Sequence, residues 1–154
     1  MTHRAEQIVE AMASQIAAFV GLSVNSNNVF IHRVLTLDEV ADELDAIAVN
    51  YGEDVPIGGE GFENLAYIDS RLSVFTVAYC KGDDEFDLRR ALLNLRRQIH
   101  QALMADDTLG LSFVTAVRYA GASEPEIDAT TGAFTGKYQS RWDVDYRMNF
   151  TDPG

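Results

Sequence analysis

Along the chain the spacing of apolar positions switches between about 3.6 and 2, and each switch marks an element. Ile8, Met12, Ile16 and Phe19, with Ala5, Val9 and Val20 beside them, recur at helical spacing. Thr2 stands where an N-cap belongs and Gly21 where the turn stops, so a helix is predicted over about 3–20. After the polar SVNSNN stretch, VFIHRV (29–34) has the composition of a short strand. Thr36 and Glu39 have capping-box spacing ahead of Val40, Ala41 and Leu44, which marks either a short helix or a solvated acidic loop. AIAVNY (46–51) reads as a central strand.

Residues 52–64 hold Pro56 and four of the eleven glycines and predict a flexible surface loop. LAYIDSRLSVFTVAYCK (65–81) predicts one extended strand with a bulge near Asp69 and Ser70. Asp83 or Asp84 then caps a second helix whose spine is Leu88, Leu92, Leu95, Ile99 and Leu103, ending near Asp106 to Gly110. LSFVTAVRYAG (111–121) is the next strand, followed by an acidic, glycine-bearing loop. KYQSRWDVDYRMNF (137–150) closes the pattern. From Tyr138 every second residue is apolar or small, while Gln139, Arg141, Asp143, Asp145, Arg147 and Asn149 fill the gaps.

The order helix, three strands, helix, two strands predicts an α+β two-layer fold, with a mainly antiparallel five-stranded sheet and both amphipathic helices on one face. The far face must meet water or another protein. The two helix spines and the apolar face of the closing strand predict that Trp142, Tyr146, Leu92, Leu95 and Ile16 are buried together.

Composition narrows the class. The 154 residues, 47% hydrophobic and 23% charged, suit one domain over 1–154. A single cysteine, Cys80, leaves no disulfide framework and fits a reducing compartment or indifference to redox. Glu6, Gln7, Glu10 and Gln15 interrupt the first helix, so neither a signal segment nor a membrane span is expected there. The net charge of −12, from 24 acidic and 12 basic residues, argues against tight nucleic-acid binding; such a surface repels DNA and lets it slide past.

Candidate chemistry is thin. His3, His32 and His100 fall on separate elements, so no metal or cofactor site is expected. GGEG (58–61) lacks the Gly-Lys-Ser/Thr of a phosphate cradle, no G-x-S-x-G elbow is present, and Cys80 reads as a packing residue. Asp143 and Asp145 are paired carboxylates on one strand face, with Arg141 and Arg147 flanking them and holding them ionised. That ladder is a catalytic pair, solvated surface or a subunit or partner contact; the contact is the expectation, because mixed charges set register and partner choice. On the second helix Arg89, Arg90, Arg96 and Arg97 form two adjacent rows. They are either a solvated face, helped by a Glu85–Arg89 pair, or a complement to Asp38, Glu39, Asp42, Glu43, Asp45, Glu53 and Asp54. Within one subunit that attraction is internal; repeated around a ring it is a heterologous interface.

The leading helix HRAEQIVEAMASQIAAF, the strand and acidic connector VFIHRVLTLDEVADELDAIAVNYGED, the long strand before a leucine-rich helix, and a final strand with W-x-V-x-Y (Trp142, Val144, Tyr146) together resemble the tail terminator, or tail completion, proteins of long-tailed bacteriophages. The resemblance spans nearly the whole chain in element order. Members often place a proline just before the second strand, where this chain has Asp45. The resemblance implies a virion structural protein without catalytic activity or cofactor: a homo-hexameric ring that sits on the tail-tube protein at the head-proximal end, stops tube polymerisation and offers the surface for head–tail joining. It also implies assembly in the host cytoplasm, a connector or neck protein as a further partner, and DNA passing through without specific binding. A head-side neck or connector protein, or a tail-tube protein, shares most of these features. A small cytosolic α+β enzyme or ligand-binding domain is the reading from another class, and it requires a pocket of convergent polar groups.

Overall fold

The computed structural model describes residues 3–33, 45–57, 67–129 and 134–149. Helix α1 (Arg4–Ala17) starts one residue later than Thr2 suggested: its cap is His3, whose Nδ1 accepts the Ala5 N–H at 3.0 Å. A short 3-10 turn (Ser26–Asn28) leads into β1 (Val29–Ile31), and β2 (Ala46–Pro56) and β3 (Tyr67–Gly82) follow. Asp84 caps α2 (Glu85–Met104) by accepting the Asp87 N–H, and the chain finishes with β4 (Val114–Ala122), β5 (Glu126–Asp128) and β6 (Phe134–Asn149). The segment around Thr36 and Glu39, with Asp38, Asp42 and Glu43, lies outside the described residues.

The fold is α+β in two layers: two helices among the described residues cover a mixed sheet of six strands in the order β1-β2-β3-β6-β4, with β5 also on β6. The sheet is mainly antiparallel, as expected, and two features add to the expected five strands. β1 runs parallel to β2, and the acidic loop contributes β5, which extends the β4 side of β6. The expected loop at 52–64 also begins later, because β2 continues through residues 52–56 to pair with the first half of β3, whose backbone groups need partners. The expected irregularity at Asp69 and Ser70 is absent, since β3 stays in register with β6 there; the break lies in β2 between Tyr51 and Asp54.

Alternation along the strands decides which side chains meet the helices. Ile47 and Val49 of β2, Leu72, Val74, Ala78 and Cys80 of β3, and Trp142, Val144 and Tyr146 of β6 join the spines of α1 and α2 in one core, which contains the five residues expected to be buried together. Trp142 donates its Nε1 proton to Thr76 Oγ1 at 3.0 Å inside that core, so its one polar atom is satisfied. Gln15 ties the helices together, its amide donating to the carbonyls of Ala102, Leu103 and Asp106 and so serving the carbonyls at the end of α2 that have no partner within the helix. Gly121, at φ +120°, permits the irregularity in β4 between Tyr119 and Gly121.

The far face of the sheet, expected to meet water or another protein, carries a second apolar cluster. Ala46, Ala48, Val77 and Tyr79 are buried there, with Phe30 packed against them. The alanines of β2 are what the helical pattern could not place: small residues on alternate positions allow a second, shallow apolar cluster.

Replacing Leu95, 2% exposed at the centre of the α2 spine, with Ala is expected to cost about 2–5 kcal/mol. For a chain of this size that lowers the melting temperature by roughly 2–4 °C per kcal/mol, measurable by calorimetry. An unchanged melting temperature contradicts the assigned core.

Candidate functional site

Two surfaces carry the residues singled out by the sequence. On β6 the odd positions Arg141, Asp143, Asp145 and Arg147 all point away from the helices, as their alternation with Trp142, Val144 and Tyr146 requires. They do not act as one ladder. Asp145 is buried, 4% exposed, and is held by two arginines from other strands: Arg71 of β3 donates from Nε at 2.8 Å and Nη2 at 3.2 Å, and Arg118 of β4 donates from Nη1 at 2.7 Å. Burial opposes ionisation of Asp145, but the two guanidinium groups outweigh it and hold its pKa below the usual carboxylate range. Arg141 pairs with Asp143 at 3.3 Å along the same strand, and Arg147 reaches Asp69 of β3 at 2.9 Å. Sequence reasoning misses the anchoring cations Arg71 and Arg118 and marks Asp69 only for a bulge; their signal is a few charges within otherwise β-rich runs.

The second surface is α2. Its two arginine rows are separated by their surroundings. Arg89 pairs with Glu85 at 3.1 Å, as the i,i+4 spacing suggested. Arg96 lies over the rings of Tyr119 (5.0 Å) and Tyr138 (5.3 Å) and donates to both hydroxyls. His100 packs beside it, its ring 5.5 Å from Tyr119 and 5.4 Å from Trp142. Arg90 and Arg97 form the outer row; both are exposed, and neither makes an ion pair among the described residues. Leu93, Arg96, Arg97, His100 and Gln101 line a shallow cleft there.

Of the acidic stretch proposed to meet these arginines, the described residues show three fates. Asp45 is half-buried and accepts the Lys81 N–H at 3.2 Å; burial raises its pKa, with that hydrogen bond opposing the rise. Asp54 accepts the Tyr146 hydroxyl proton at 2.5 Å, and Glu53 is exposed. Asp42 and Glu43 lie outside the described residues.

Three groups with catalytic potential, Cys80, His3 and Asp54, are buried or already committed. Burial, reinforced by Asp45, pushes the Cys80 thiol up, away from the thiolate a nucleophile needs. An open cleft of about 570 Å³ is lined by His3, Glu6, His32, Tyr51 and Asp54, but His3 is committed to capping α1 and Asp54 to Tyr146. Among the described residues no group of three or more His, Cys, Asp or Glu side chains converges to hold a metal, and no helix is long and apolar enough to cross a membrane.

Replacing Asp145 with Asn tests the charge node. Because its folded pKa is depressed, its contribution is complete above the unfolded value near 4 and is lost as pH falls through the lower folded value. Asp145→Asn is expected to lose about 1–3 kcal/mol at neutral pH, less than a fully enclosed pair because both arginines reach water. Thermal unfolding as a function of pH checks it: the two curves should converge on acidification, and a constant gap refutes the assignment.

No protein-family model and no curated protein matches the chain, so a functional reading rests on its own residues and geometry.

Proposed function

We propose that this chain is a structural virion subunit that caps the tail tube of a long-tailed bacteriophage at its head-proximal end, stops tube polymerisation and forms the interface for head–tail joining. The working form is a homo-hexameric ring whose partners are the tail-tube protein on one side and a connector or neck protein on the other. DNA passes through the ring, and the net charge of −12 disfavours its sticking there. Assembly in the host cytoplasm and residence in the virion tail belong to the same reading.

The observation that carries this reading is where the chain leaves its apolar and cationic groups. The sheet-face charges are largely paired within the chain, whereas the outer face of α2 leaves Phe86 (72% exposed), Leu93 (55% exposed), Arg90 and Arg97 facing outward. Apolar anchors interleaved with arginine are the composition of a protein contact. The order of elements, closing on Trp142, Val144 and Tyr146, supports placing that contact in a tail terminator.

The test is to add the purified chain to polymerising tail-tube subunits of the same phage and measure tube lengths by electron microscopy. The expected result is arrest of elongation, with one added ring of density at a single tube end. Tubes that keep growing with bare ends refute the proposal.

A further inference from the structure

The outward stripe of α2 is built at a two-turn spacing: Phe86 and Leu93 are seven residues apart, and Arg90 and Arg97 repeat that interval between and beyond them. Its complement stands on α1. Glu6 and Glu10 are exposed there and make no ion pair among the described residues. Beyond them a shallow groove of about 260 Å³ is lined by Glu10, Ala13, Ser14 and Ala17 with Val29 and Ile31 of the edge strand. Val20, just past the helix, is fully exposed at 101%.

These surfaces stand on different helices: α1 packs over β1 and β2, and α2 packs over β3 and β6. One copy's α2 can therefore meet a second copy's α1 without disturbing the packing of either. At a rise of about 1.5 Å per residue, an antiparallel approach that seats Leu93 between Ala13 and Ala17 brings Arg97 beside Glu10. The same register brings Phe86 towards the C-terminal end of α1, where Val20 is exposed. Pairing two α2 stripes about a two-fold axis instead gathers four arginines in one contact with no acidic residue in either stripe, which disfavours it.

We propose that the outer face of α2 docks antiparallel on α1 of a second copy, with Leu93 in the Ala13–Ala17 groove and Arg97 paired to Glu10. The contact is heterologous, so it closes into a ring or runs on as a filament; only the closure rests on the capping role proposed above.

Sedimentation of the full chain over a range of concentrations tests the contact. Arg97→Glu and Glu10→Arg are each expected to weaken self-association about tenfold, and the Glu10→Arg/Arg97→Glu chain to restore it to within about twofold. In parallel, Leu93→Cys/Ala17→Cys is expected to oxidise to a ladder of cross-linked multimers, the buried Cys80 taking no part. A wild type that stays monomeric at every concentration overturns the proposal. So does a doubly reversed chain weaker than either single variant, or rescue of Arg97→Glu by base substitutions at Asp42 or Glu43 in place of Glu10. Tube capping reads separately. Capping by both single variants at wild-type efficiency overturns this contact and leaves the capping role, whereas self-association through these faces without capping refutes that role and leaves the contact.

Discussion

The pairing of β3 with β6 is the constraint on which the remaining architecture depends. The two strands run antiparallel in unbroken register from Tyr67 opposite Asn149 to Gly82 opposite Phe134. One register fixes the parity of both strands, since a slip of a single residue exchanges every side chain between faces. Trp142, Val144 and Tyr146 thereby join Leu72, Val74 and Ala78 under the helices, and Arg71 is set opposite Asp145 on the other side. The apolar core and the charge network are two consequences of one alignment.

That alignment also explains the division of labour between the two charged surfaces. Asp145 gains partners from the strand on each side of β6, so its charge is spent on holding three strands in place. Only Asp145 of this trio is buried; both arginines reach water, and their hydrogen bonds offset the cost of burying its charge. The arginines of α2 sit on a helix whose other side is already committed to the core, and the outer row has no acidic neighbour within its own helix beyond the first turn. A cationic stripe with Phe86 and Leu93 on a strongly acidic chain is the surface to which the proposed contact is assigned.

Much of this was legible in the sequence because the elements are long and strongly periodic. The two helix spines, a cap at Asp83 or Asp84 and the alternation of the closing strand needed only local spacing. What was not legible was non-local. The parallel placement of β1, the continuation of β2 through residues 52–56 and the short β5 all depend on a partner strand distant in sequence, which overrides the glycine and proline signals in the loops. The partners of the charged ladder were partly hidden for the same reason: the flanking Arg141 and Arg147 are visible along β6, but Arg71 and Arg118 become neighbours of Asp145 only once β3 and β4 are aligned with it. The acidic connector at Asp42 and Glu43, proposed as the complement of α2, lies outside the described residues, whereas Glu6 and Glu10 of α1 offer a complement within them.

A cryo-electron-microscopy reconstruction of the assembled ring on a tail tube tests the central claim most directly, because it shows both charged surfaces at once. The account predicts that the outer face of α2 is covered by a neighbouring copy while Asp145 keeps Arg71 and Arg118 within its own subunit. An α2 stripe open to solvent, with the β6 charges turned to a neighbour instead, would contradict it.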